Sequence, residues 1–256
     1  MTNEYSIENI NPDSGTEYLD YGSGNKTVNN VLTIETRTNY NRTFGNHAVG
    51  ALLVTQYIDS KNPNYESLQE SLPSRNFGVS GRLTYAYADR YFTEFNFGYN
   101  ASERFDQKHR WGFFPSVGGG WMISNEPFFE SLQSKISKLK LRFSYGLVGN
   151  DKIGDTSQRF LYLSNVNMNS TGASFGYENG YSKKGVSVSR YANPSIGWEK
   201  AYKANLALEA SFAGVDLIAE YFTEKRTNIL QQRASIPSVM GYEASIYANI
   251  GETKGH

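Results

Sequence analysis

The 256-residue sequence contains no cysteine, which removes disulfide staples, thiolate catalysis and cysteine-ligated metals. That absence suits an exported protein held together by a hydrogen-bonded sheet. Nowhere is there an apolar run of the roughly 18 residues that a membrane-spanning helix needs. The opening Met1-Thr2-Asn3-Glu4 lacks the basic stretch and apolar run of a secretory signal, so either a cytosolic protein or a part of a longer one is expected. Neither sign of charge dominates: 25 acidic residues balance 25 basic ones, and no global field draws the chain to nucleic acid.

Catalytic and metal-binding patterns are equally scarce. The three histidines, His47, His109 and His256, are far apart and none has a ligand-spaced partner on a helix, so neither a metal nor a cofactor is expected. There is no Gly-x-Ser-x-Gly elbow and no Gly-x-x-x-x-Gly-Lys phosphate loop. Gly118-Gly119-Gly120 runs into Trp121 and reads as a bend in a strand. Glu94 and Glu220 could form a glycosidase pair, which needs carboxyls about 5 to 10 Å apart. Acidic residues on a solvated or lumenal face are the commoner arrangement, and no catalytic residue is assigned.

What is abundant is Tyr (19), Phe (15) and Gly (24), arranged with a period of two. Val79, Gly81, Leu83, Tyr85 and Tyr87 alternate with Ser80, Arg82, Thr84 and Ala86, which predicts a strand. Asp89-Arg90 leaves room for a tight turn, and Tyr91, Thr93, Phe95, Phe97 and Tyr99 then alternate with Glu94, Asn96, Gly98 and Asn100. The pattern returns over 138–147 and 202–212, and Ala213-Gly214 turns the chain into Val215–Tyr221. Residues around 30–40 and 48–58 read as a pair joined near Phe44-Gly45-Asn46. About nine strands are predicted in all, the last near Asn249, and the fold class is all-β.

Short turns near Gly45, Arg90 and Gly214 alternate with longer polar excursions over 61–75, 151–194 and 232–243. Residues 125–137 fall on the short-turn side and predict a brief helix capped by Asn125, with Phe128, Phe129 and Leu132 on one side. Outer-membrane barrels have this layout, with short periplasmic turns and long extracellular loops. A soluble β-sandwich also carries one polar and one apolar face, so a soluble glycan-binding module or glycosidase is the alternative. Runs of about 11 to 14 residues exceed the usual 5 to 6 of globular sheets and match tilted membrane spans. On the barrel reading Leu83, Phe95, Phe97, Leu141 and Phe143 face lipid, and Arg82, Glu94, Asn96, Lys140 and Arg142 face the lumen. Tyr91-Phe92, Trp111, Phe113-Phe114, Trp121 and Phe128-Phe129 read as interfacial girdles, with core packing as the alternative. Loop aromatics Tyr162, Phe175, Tyr177, Tyr181 and Tyr191 could stack on sugars or simply pack in their loops.

An ordered set of longer motifs adds a resemblance. These are Tyr99-Asn100-Ala101-Ser102-Glu103-Arg104-Phe105, Arg110-Trp111-Gly112-Phe113-Phe114-Pro115-Ser116 and Gly120-Trp121-Met122-Ile123-Ser124-Asn125-Glu126-Pro127-Phe128. The run Leu139 to Asn150, then Asn193-Pro194-Ser195-Ile196-Gly197-Trp198-Glu199 and Ala248-Asn249-Ile250-Gly251, continue them. Together they resemble the barrel of SusC/RagA-type TonB-dependent transporters. One departure lies near residue 100, where the family more often has Arg-x-Asp-Gly-Ser-Ser-Arg-Phe; it bears on subgroup and substrate class and not on fold. The resemblance implies that residues 1–256 are part of a transmembrane barrel in the Gram-negative outer membrane, an open curved sheet when taken alone. The plug domain and the remaining strands would lie elsewhere. It further implies import, without bond breaking, of a nutrient too large for porins, an oligosaccharide or a peptide. The expected partners are the TonB complex, a SusD-like surface lipoprotein and membrane lipid, with no nucleic acid.

Overall fold

The computed structural model describes residues 4, 24, 28–61, 71–154 and 159–256. Met1-Thr2-Asn3, residues 62–70 of the expected 61–75 excursion and residues 155–158 of the expected 151–194 excursion lie outside them. Nine strands form one antiparallel meander: β1 (Asn30–Phe44), β2 (His47–Lys61), β3 (Ser74–Tyr87), β4 (Tyr91–Ser102), β5 (Trp111–Met122), β6 (Ile136–Asn150), β9 (Glu199–Phe212), β10 (Val215–Gln232) and β11 (Tyr247–Gly255). Each pairs with its neighbour in that order, and the sheet does not close on itself among the described residues.

Tight connections form where the backbone can reach positive φ with the hand that suits a twisted hairpin. Gly45 (φ 58°) turns β1 into β2, and Ala213-Gly214 (50° and 78°) turns β9 into β10. Between β3 and β4 the same conformation falls on Ala88 and Asp89 (51° and 52°), where a side chain makes it costlier. Partial compensation comes from hydrogen bonds: Arg90 N–H donates to Tyr87 O (2.9 Å), and Ala88 N–H donates to Asn46 O (2.7 Å) in the adjacent turn.

Register carries each side chain's face across the sheet, because directly paired residues point the same way. Arg82, Asn96, Ser116, Gly146, Lys203 and Glu224 form one continuous row, and Leu83, Phe95, Val117, Tyr145, Ala204 and Thr223 form the neighbouring row on the other face. Ring size is matched to glycine across strands: a Cβ on Gly81 or Gly119 would sit 2.4 Å from the ring of Phe97 or Phe143. The triple glycine therefore lies within β5, and Gly119 makes room for a facing ring.

Two expectations are corrected. The excursion between β6 and β9 contains its own hairpin, β7 (Asn165–Phe175) with β8 (Tyr181–Arg190), separate from the main sheet. Its strands carry polar residues at both parities, so no apolar alternation marks them. Two glycines seat it instead, since a Cβ on Gly172 would lie 1.7 Å from Lys183 O and one on Gly185 2.1 Å from Thr171 O. Between β5 and β6 there are two 3-10 turns, Ile123–Asn125 and Pro127–Leu132, and no helix capped by Asn125. The Asn125 amide donates instead to Asp89 O (2.8 Å), Phe129 is buried, and Phe128 and Leu132 are exposed.

Candidate functional site

Period two sorts charge by face. The first face carries Lys138, Lys140, Arg142, Lys203, Glu209, Glu220 and Glu224 on β6, β9 and β10, and a broad hollow of about 710 Å³ lies against it. Of the five residues expected on a lumenal surface, Glu94, Asn96, Lys140 and Arg142 line this hollow. Arg82 joins them by donating to Asn96 Oδ1 (3.1 Å) and pairing with Glu94 (3.4 Å). Arg142 spans three strands, donating to Glu209 (2.9 Å) and Glu220 (3.3 Å), while Lys138 donates to Glu209 (2.7 Å). These groups are partly exposed, so each pair is worth about 0 to 1 kcal/mol and serves mainly to order the wall.

Glu94 and Glu220 do not form a catalytic pair. Three strands separate β4 from β10, placing the two carboxylates roughly 19 Å apart along the sheet at about 4.8 Å per strand. Each is instead held in its own network, Glu94 by Arg82 and Asn96, Glu220 by Arg142 and Asn205. Among the described residues no three His, Asp or Glu side chains group as metal ligands.

The opposite face is uncharged over long stretches and exposed: Leu83, Phe95, Phe143, Leu206 and Leu217 are each at least 40% accessible. Rings gather near its two ends. Tyr99 stacks on Trp111 (4.7 Å), and Phe77 meets Trp111 edge-on at the long-loop end, while His47, Tyr87 and Tyr91 adjoin at the short-turn end. From Phe77 to Tyr87 is about 34 Å of strand, or about 26 Å along a barrel axis for a tilt near 40°, close to the apolar band of a membrane barrel. The adjacent pairs Tyr91-Phe92 and Phe113-Phe114 were expected to act together as girdles and do not. Alternation turns Phe92 and Phe114 to the charged face, where Phe92 lies under Lys140 Nζ (5.6 Å) and Phe114 packs on Trp198 (5.0 Å).

The motifs behind the resemblance converge in space into two clasps. At the long-loop end Phe105, Ile153, Leu161, Ile196 and Trp198 are buried together against Phe114 and Leu230, so three connections share one core. Arg104 donates to Asp151 O and Ile153 O, and the Trp198 indole donates to Arg110 O (3.1 Å). Asn249 accepts from Gly197 N–H (2.9 Å) and donates to Gly197 O and Asn228 O. Of the loop aromatics, Tyr191 packs on Tyr242 and Tyr162 on Phe160, whereas Phe175, Tyr177 and Tyr181 stand exposed on the β7–β8 hairpin.

At the short-turn end Glu126 accepts from the Trp121 indole (2.9 Å), bonds the Tyr91 hydroxyl and lies 3.6 Å from Arg90. The Tyr91 bond, then the Trp121 bond and the Arg90 charge, hold its carboxyl below the usual range against the opposing effect of burial. A lowered folded-state value means that the clasp contributes at neutral pH and weakens as pH falls below the ordinary glutamate value of about 4.3. Glu126→Gln is therefore expected to lower the unfolding temperature at pH 7 and to flatten its acid dependence. Parallel acid profiles of the two proteins, followed by heat-modifiable gel mobility, would rule this out.

A two-faced antiparallel wall, tied by clasps at both ends and bearing long loops at one of them, defines a segment of a large β-barrel. The comparisons give the family. The chain is 31% identical to TonB-dependent receptor P26 of Formosa agariphila, over 93% of this chain and 26% of that protein. It is 32% identical to TonB-dependent receptor SusC of Bacteroides thetaiotaomicron, over 73% of this chain and 18% of that protein. Solved structures of the RagAB peptide importer superpose with a TM-score of 0.66 at 23% identity, over 89% of this chain and 26% of theirs. No protein-family model matches the sequence. The chain belongs to the TonB-dependent receptors, with SusC among its relatives. It spans about a quarter or less of the length of these relatives.

Proposed function

We propose that this chain is part of the barrel wall of an outer-membrane importer, energised through TonB, that carries an oligosaccharide or a peptide under a SusD-like surface lipoprotein. The observation that carries the reading is the partition of faces: an uncharged face of membrane height backs onto a concave face lined by Arg82, Glu94, Asn96, Lys140 and Arg142. The uncharged face then meets lipid, and the concave face meets the lumen or the plug that fills it. The plug, the TonB-contacting segment and the other strands belong to parts of the protein beyond these residues. Such a wall breaks no bond; transport rests on binding and release, not on acid-base chemistry, and the protein is not an enzyme. The RagAB structures are those of a peptide importer, which supports the peptide class.

Deleting the gene, or removing TonB, is expected to abolish growth on one large nutrient and leave growth on its monomers intact; unaffected growth on every oligosaccharide and peptide tested would reject import. Topology gives a second check. A protease site placed at Tyr177 on the exposed β7–β8 hairpin is expected to be cut on intact cells, and one placed at Gly214 to be protected. The reverse pattern would invert the barrel, and a full-length protein that stays monodisperse in water without detergent would remove it from the membrane.

A further inference from the structure

On β9, β10 and β11 the uncharged face ends in lysine. Outward positions from Val215 through Leu217, Ala219, Tyr221 and Thr223 carry no charge until Lys225, and those from Phe212 back to Tyr202 carry none until Lys200. Val215 to Lys225 is again about 34 Å of strand, or about 26 Å along the axis for a tilt near 40°, so Lys225 stands where hydrocarbon gives way to headgroups. Lys254 lies directly opposite Lys225 on β11. Like charges facing each other across strands oppose pairing. Glu252 pairs with Lys225 (2.5 Å), while Lys200 and Lys254 have no ion-pair partner among the described residues. Running from their level toward the membrane centre is an outward groove of about 490 Å³, walled by Tyr145 and Tyr202, with Ala204 and Thr223 as its small-residue floor and Lys225 and Thr227 at its rim.

We propose that this groove holds the phosphorylated glycolipid of the outer leaflet, one acyl chain lying over Ala204 between the two tyrosines and a phosphate drawn to Lys200, Lys225 and Lys254. The surplus of positive charge matches a phosphate, for which lysine acts as a point charge. The hydroxyl ends of Tyr145 and Tyr202 belong at the level of sugar headgroups. Depth and polarity together select a lipid over a free anion, because the site continues downward into a slot with no charge of its own. The inference rests on the barrel reading above and adds to it a specific lipid contact at the long-loop boundary.

The test uses the full-length receptor, extracted from outer membranes in mild detergent, with bound lipid quantified by class after organic extraction. Lys200→Gln/Lys225→Gln/Lys254→Gln and, separately, Ala204→Phe are each expected to reduce retained phosphorylated glycolipid at least fivefold while heat-modifiable mobility stays normal. Lys135→Gln, in the connection before β6, is expected to leave retention unchanged. Equal retention by all variants would overturn the site, as would recovery of glycerophospholipid alone or of inorganic phosphate without lipid. A properly folded wild-type barrel that retains no glycolipid would overturn the site and spare the barrel reading. A receptor that does not fractionate with the outer membrane would remove both.

Discussion

Leu141→Arg is expected to stop the full-length protein assembling, whereas Arg142→Leu one position along is expected to be tolerated. Leu141 stands on the uncharged face opposite Trp121 and Leu208, one outward position from Phe143 at the middle of the Leu139–Leu147 apolar stretch of β6. Arginine at a lipid-facing midplane position costs about 2 to 4 kcal/mol. That is about a 30- to 1,000-fold change in the assembled fraction, enough to clear a marginally stable protein. Arg142→Leu removes bonds to Glu209 and Glu220, but Glu209 keeps Lys138 (2.7 Å) and Glu220 keeps Asn205 (2.6 Å). No carboxylate is left without a partner, so the cost is that of a partly exposed ion pair, about 0 to 1 kcal/mol. Heat-modifiable mobility of outer-membrane fractions measures both variants. Equal tolerance of the two, or a greater defect in Arg142→Leu, would refute the assignment of faces.

Expressed alone and refolded in detergent, residues 1–256 are expected to form no discrete pore. β1 pairs only with β2 and β11 only with β10 among the described residues, so each end of the meander presents unpaired backbone groups. β1 is exposed along its whole length, with Leu32, Ile34 and Tyr40 each about half accessible. Unpaired edges and a broad apolar surface favour association over closure. Plugged outer-membrane transporters have about 22 strands, and nine cannot complete such a circumference. The expected products are aggregates or mixed oligomers with irregular conductance. A compact heat-modifiable monomer with one stable conductance level would mean that the chain is a small barrel in its own right.

The long strands were legible because period two is a local property. Leu83 and Arg82, or Leu141 and Lys140, declare opposite faces whatever their partners are, and pairing across β3 to β10 then preserves that choice. Turn positions at Gly45, Arg90 and Gly214 were legible for a similar reason: few residues separate two alternating runs there. Less legible was the β7–β8 hairpin, because Asn167, Asn169, Ser170 and Thr171 leave neither face apolar and only the close approach of Gly172 and Gly185 to facing backbone records the pairing. The brief helix expected at Asn125 failed because Pro127 and the bonds of Asn125 to Asp89 and of Trp121 to Glu126 favour two short 3-10 turns.

The motif residues show the same division. Phe105, Trp198, Glu126 and Asn249 stood out in sequence through resemblance, with no physical role attached to any of them. Their partners lie far along the chain: Trp198 reaches Arg110 O, 88 residues away, and Asn249 reaches Gly197, 52 residues away. Residue order alone thus determined strand, turn and face, since these depend on neighbours two to four positions apart. Only the tertiary structure decided which loops share a core, which carboxylate closes the short-turn clasp and where lysines gather above an outward groove, because those contacts exist only after register has brought distant strands side by side.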